Sequence, residues 1–292
     1  MRKILWPFLF WSCLLFGTFT GNAQSARVLS PSDSIARMTL RYLHPFYKSL
    51  EKQHPFSGTY DLGFSYPLNK KWQINTSIPF GLAKYDVNLF QPEYDDPMLN
   101  HIKKISKTAW GNAMLGLSYS NKHRTAHYSY WQGFVFLPTA TRGHNEAAPY
   151  MLMSNINEFH KYLSHATILG FEAAYGRQGP VRWHYELAAG FEYFLTGSRA
   201  MLSDDLYARY TLTGAYKLNS LLISADYSGL INISKTDLDA FRDRMYDVIN
   251  IGIYYIGNIV QPGLFFAYNA RDFYRDIADG SMGIKLSYRF AN

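Results

Sequence analysis

The chain has 292 residues, is 48% hydrophobic and 17% aromatic, and carries a net charge of +7 with a single cysteine. One cysteine excludes disulfides and thiolate metal clusters, and a mild, dispersed positive charge gives no footprint for nucleic acid. Beyond the amino-terminal 24 residues no run of about 20 apolar residues occurs, so no transmembrane helix is available, although 24 Tyr, 20 Phe and 6 Trp still call for an apolar environment.

The amino terminus reads as an export signal. Arg2 and Lys3 precede the almost wholly apolar run from Ile4 to Phe19, and polar Thr20 to Gln24 follows with small residues at Gly21 and Ala23. That order of regions predicts a secretory signal peptide over residues 1–23, cut after Ala23. An uncleaved anchor is the competing reading, but the run is short and contains Pro7. Cys13 is followed by Leu14, Leu15 and Phe16, so it lacks the position of a lipoprotein acylation site. Loss of Arg2 and Lys3 leaves a mature excess of about +5, and residues 24–292 read as one domain.

Period-two segments then recur along the chain. In Ala36 to Pro45, Met38, Leu40 and Tyr42 alternate with Arg37, Thr39 and Arg41. A strand is expected there, with a short amphipathic helix over Ser34 to Leu43 as the alternative. Tyr60, Leu62, Phe64 and Tyr66 alternate with Thr59, Asp61, Gly63 and Ser65. Trp183, Tyr185, Leu187, Ala189, Phe191 and Tyr193 alternate with Arg182, His184, Glu186, Ala188, Gly190 and Glu192. Ile249, Ile251, Ile253 and Tyr255 share one face near the carboxyl end. In the last strand Met282, Ile284, Leu286, Tyr288 and Phe290 oppose Ser281, Gly283, Lys285, Ser287 and Arg289. One face of each strand is apolar and the other charged or small.

Connections alternate in length. Short ones fall at Leu68 to Lys71, Asn121 to Arg124, Gln178 to Pro180, Leu218 to Ser220 and Gly257 to Asn258, rich in turn-forming Asn, Gly and Pro. Long polar ones fall at roughly 87–107, 139–162, 197–204, 232–246 and 271–279. Eleven strands follow from Ser57 onward, and the segment before Pro45 makes twelve, the even number expected when both termini share one side. The expected fold is all-β: a transmembrane, antiparallel up-and-down barrel of about 12 strands in the outer membrane of a Gram-negative cell. Its expected partners are outer-membrane lipid, lipopolysaccharide and the barrel-assembly machinery.

Chemistry-bearing motifs are sparse. No nucleotide-binding glycine loop, zinc-binding histidine helix or nucleophile elbow occurs, and neither cofactor nor metal is expected. His123 and His127 flank a turn. Glu93, Asp95 and Asp96, and again Asp237, Asp239 and Asp243, read as solvated loop charges rather than cation sites. Charges on the lipid face cost roughly 2–4 kcal/mol for Arg or Lys at the midplane. Phase therefore assigns Asp61, Glu172, Arg182, His184, Glu186, Glu192, Arg209, Asp226, Lys285 and Arg289 to the lumen. Such a ladder either lines a path or fills the interior. An outer-membrane lipid hydrolase needs serine, histidine and an orienting polar residue on the outer wall; His160 and His165 show no serine partner in phase, so no enzyme is expected.

Three strings, DLGFSYPLNKKWQINTSIPFG (61–81), WGNAMLGLSY (110–119) and FVFLPTATRG (134–143), resemble the transporter-like outer-membrane barrels grouped as meta-pathway phenol-degradation proteins. Leu137, Pro138 and Thr139 match that family's strand-closing motif, while Asn112 stands where Asp is usual and Ala140 where Gly is usual. The resemblance covers about a third of the chain and implies a channel for small apolar or aromatic molecules. Asn22, Ala23 and Gln24 resemble the signal ending of Bacteroidetes exports. The function expected is passive passage of a small solute, the alternative a plugged barrel that displays its loops.

Overall fold

The alternation seen in sequence becomes the two faces of a closed wall. In the computed structural model the described residues are 35–48, 52–89, 101–123, 126–141, 150–151, 156–178, 182–196, 204–234, 244–271, 275 and 278–290. The predicted signal peptide lies outside them, as do Glu93, Asp95, Asp96, Asp237, Asp239 and Asp243.

The strands are β1 (Arg37–Tyr47), β2 (Lys52–Gln53), β3 (Gly58–Pro67), β4 (Trp72–Leu89), β5 (His101–Trp110), β6 (Met114–Lys122) and β7 (His127–Phe136). After a short 3-10 helix, kinked at Glu158, come β8 (Ala166–Arg177), β9 (Trp183–Thr196), β10 (Asp205–Leu218), β11 (Leu221–Asn232), β12 (Met245–Tyr255), β13 (Val260–Asn269) and β14 (Ala278–Arg289). Every pairing is antiparallel. Each long strand pairs with the next, β1 pairs with β14, and β4 pairs with β6 as well as β3, which closes the sheet on itself. β5 and β6 lie end to end along β4 and form one interrupted barrel strand; β2 is a two-residue addition to the top of β4. The barrel therefore has twelve strands and no free edge. Residues 37–47 are strand and not helix, because their register on both β3 and β14 supplies every ladder partner.

Polarity is inside out. On β9, Trp183 is 68% exposed and Phe191 48%, while Glu186 and Glu192 are 6% and 0% exposed. A soluble sheet would show the reverse. Leu62, Ile78, Leu117, Ile251, Leu264 and Ile284 continue the apolar outer belt around the barrel. Aromatic side chains band it at the short-turn end, among them Tyr66, Trp72, Trp183, Tyr255 and Tyr288. Toward the opposite end, the outward row Tyr42, Tyr60, Phe80 and Trp110 crosses four neighbouring strands, with successive ring centroids 4.7, 4.9 and 5.6 Å apart. These are the apolar band and flanking girdles that a bilayer requires of a barrel.

The short connections fall near their expected places. Asn219, between β10 and β11, has φ of 53°, a left-handed conformation that Asn tolerates in a two-residue turn. β6 runs on to Lys122, so that turn sits about two residues later than expected. The long connections differ more. β4 reaches Leu89 and β5 begins at His101, so residues 87–89 and 101–107 of the expected 87–107 loop are strands that extend the wall. Its outward face carries Lys84, Lys104 and Ser106, beyond the aromatic row, where water tolerates polar side chains on both faces. The connection expected over 139–162 does not stay outside. Its last residues, Ile156–Tyr162, form the 3-10 helix and pack inside the barrel.

Candidate functional site: a crossbar in the lumen

The 3-10 helix carries Glu158, Phe159, His160, Lys161 and Tyr162, all buried. Its polar side chains reach two walls. On one side Lys161 Nζ lies 2.5 Å from Asp61 Oδ2 on β3 and 3.1 Å from Glu158 Oε1. Arg41 on β1 pairs with Glu158 and stands 3.4 Å from Asp61, which also accepts a hydrogen bond of 2.6 Å from Ser77 on β4. Two cations and two anions thus form a closed set with no net charge. On the other side His160 Nδ1 is 3.3 Å from Glu192 Oε2 on β9, whose Oε1 is 2.6 Å from Arg209 Nη2 on β10.

Strand order shows how far apart these walls are. Between β3 and β9 lie β4, the β5–β6 strand, β7 and β8; between β1 and β10 lie β14, β13, β12 and β11. Four strands separate the two pairs in either direction, so they face each other across the diameter. The helix is a crossbar. Phe159 seats it against the second wall, with ring centroids 5.8 Å from Phe194, 5.8 Å from Tyr207 and 5.3 Å from Tyr246. Burial, with Arg209 and Lys161 close by, holds the His160 imidazole well below its ordinary pKa.

A second piece of the same connection lines the inside of the β4–β5 hairpin. Tyr150 stacks on Tyr85 at 5.2 Å and lies tilted against Tyr47 at 4.9 Å, and Met151 fills the space above Gly81, where a Cβ would lie 1.7 Å from its sulfur.

The ten lumen candidates distribute unevenly. Asp61, Glu192 and Arg209 meet at the crossbar. Glu172, His184, Glu186 and Asp226 are buried on β8, β9 and β11, toward the short-turn end, where Tyr128 donates to Glu186 and Asn250 Nδ2 donates to Asp226 Oδ1 at 2.7 Å. Lys285 and Arg289 are half-buried on β14 beside Arg41 and Arg37. Arg182 departs from the expectation: it sits at an exposed bend just before β9, beyond the reach of strand phase. Sequence reading missed Arg41, Glu158 and Lys161. Arg41 stands in phase with Arg37 and Thr39 and was recoverable from that alternation; Glu158 and Lys161 follow no strand period.

His123 and His127 sit at their turn, with His123 Nε2 3.3 Å from Ser129 Oγ and the His127 ring stacked on Tyr175 at 5.4 Å. Among the described residues no group of three or more His, Cys, Asp or Glu is gathered for a metal.

No protein-family model matches the chain, and no curated protein matches it. Solved structures do. An outer-membrane channel from Pseudomonas putida F1 superposes with a TM-score of 0.60 at 11% identity, over 92% of this chain and 100% of that one. A KdgM porin gives 0.50 at 7% identity, over 87% of this chain and 99% of that one, and the same porin in complex with disordered oligogalacturonate gives 0.51 at 8%. At such identities the likeness is one of fold. Taken with the closed wall and its apolar outer belt, it makes the chain a twelve-stranded outer-membrane β-barrel.

Proposed function

We propose that the protein is an outer-membrane channel for passive passage of small solutes and that the crossbar sets its bore. The observation that carries this reading is the interior surface. Asn75, Gln132, Glu172, Glu186, Asp226 and Gln261 all point away from lipid and are buried within the barrel. Burying a charge costs several kcal/mol, and apolar side chains of similar volume fill a sealed interior at no such cost. In the closed state these side chains are shut off from water, so a hydrated path between them opens only when the crossbar or the interior side chains move. Strand number supports the same reading. Eight strands enclose a space that their own side chains fill, and 16 to 18 leave an aqueous channel. With twelve, a chain segment occupies the middle here, held by side-chain contacts and by the backbone bond from Asn112 N to Lys161 O.

The described neighbours named as a channel and a porin support transport in general. The apolar or aromatic cargo implied by family resemblance would meet Tyr130, Phe136, Tyr207, Tyr254 and Phe265, which are buried among the polar side chains. A plugged barrel is the second reading, favoured by the crossbar's contact with both walls.

Planar-bilayer conductance separates the two. The wild-type barrel is expected to conduct weakly and the Asp61→Asn/Glu192→Gln variant, weakened at both ends of the crossbar, several-fold more. If neither conducts while both keep the heat-dependent gel mobility of a folded barrel, the channel reading fails.

A further inference from the structure

Along β4 the partner strand is interrupted between β5 and β6, and the break faces the crossbar. β5 ends at Trp110 and β6 begins at Met114, leaving Gly111, Asn112 and Ala113 outside the ladder. Gly111 still donates to Pro79 O at 2.7 Å, which keeps the strand against β4. The next amide turns inward: Asn112 N donates to Lys161 O at 2.5 Å. At Gly111 a Cβ would lie 2.5 Å from that same Lys161 oxygen, so only glycine permits the approach.

The Asn112 side chain is fully buried and uses both of its ends. Nδ2 donates to His160 O at 3.0 Å and to Leu163 O at 2.8 Å, and Oδ1 accepts from Ala140 N at 3.0 Å. Two carbonyls on one side and one amide on the other settle which end is nitrogen. Ala140 is where the long connection leaves the wall after β7; residues 160–163 are where it returns to β8. A single side chain therefore ties the departure of the inward segment to its return. The His160 carbonyl it takes is among those that a helix end leaves without internal partners, and Leu163 lies just past that end. Thr139 and Thr141 secure the departure point: Thr139 Oγ1 accepts from Ala113 N at 2.8 Å and donates to Gly111 O at 2.9 Å, and Thr141 Oγ1 accepts from Trp110 N at 2.7 Å.

We propose that Asn112 is the positioning residue that holds the crossbar across the lumen, and that a carboxylate in its place releases it. Asp has the shape of Asn but no donor when ionised. It would keep the bond from Ala140, lose both bonds to the crossbar and set its own oxygen against two carbonyls. The proposal rests on the channel reading only for its effect on conductance; the docking of the crossbar is independent of it.

The test reads crossbar position directly. In a Cys13→Ser background, a cysteine placed by Phe159→Cys reports the crossbar, each Asn112 variant being compared with a parent that carries the same weakened seat, and one placed by Ala215→Cys reports a buried site on β10 away from it. Each is labelled with a water-soluble maleimide in the folded, detergent-solubilised barrel. With two bonds lost, Asn112→Asp is expected to raise the labelling rate at position 159 about tenfold or more and to leave position 215 unchanged. Asn112→Ser, which retains one short donor, gives a smaller rise and serves if the carboxylate variant does not fold. An unchanged rate at position 159 in a folded variant overturns the proposal, and so does an equal rise at both positions, which would mean a generally loosened barrel. Conductance is recorded on the same variants. Faster labelling without conductance in any variant would leave the clamp standing and sink the channel reading.

Discussion

The two ends of the crossbar are held by different physics. Toward β1 and β3, two buried cations and two buried anions neutralise one another, and the contact is directional, short and dry. Toward β9, β10 and β12, Phe159 packs among Phe194, Tyr207 and Tyr246, and His160 and Arg209 add polar contact through Glu192. An ionic contact of this kind is all or none: remove one member and the rest are left with an uncompensated charge. An aromatic contact degrades by degrees, because its dispersion and burial are spread over many atom pairs. The ionic end thus behaves as a latch and the aromatic end as a seat.

That contrast is open to direct attack. The largest effect belongs to Lys161→Met, which leaves Asp61 and Glu158 facing Arg41 alone. About 3–5 kcal/mol of crossbar docking should be lost, read as faster hydrogen exchange at the Asn112 amide, which donates to Lys161 O. Adding Asp61→Asn should recover part of that loss because charge balance returns. Strictly additive losses would mean that the four groups do not act as a unit. Phe159→Leu keeps bulk but gives up ring-to-ring contact, and about 0.5–1.5 kcal/mol should go by the same measurement. A loss as large as that of Lys161→Met would erase the distinction between latch and seat. Salt should have the smallest effect. Buried pairs are poorly screened, so raising ionic strength from 0.1 to about 1 M should barely change exchange at Asn112, and a strong salt dependence would mean that water reaches the latch.

Much of the fold was legible because a barrel wall is a local pattern repeated. Met282 to Phe290 and Trp183 to Tyr193 declare their lipid face residue by residue, and Asn219 marks its turn by chemistry. The crossbar was not legible for the opposite reason. Residues 139–162 are polar and aperiodic, as an outer loop is, and nothing in Glu158 or Lys161 says that each will meet a partner about a hundred positions away. The resemblance did draw Asn112 and Thr139 into view as motif residues. Their shared role, stitching a break in the wall to the departure of an inward segment, needed three separate stretches of chain side by side.

Sequence alone determined that these residues close into a wall with apolar side chains outward, since a charge on the lipid face is costly and a period of two leaves each strand one choice of phase. Tertiary structure decided what stands inside that wall. Whether a long connection folds out into water or in across the lumen depends on whether its charges find buried partners on opposite strands. Those partners are brought within reach only when β1 closes against β14 and the twelve strands complete their ring.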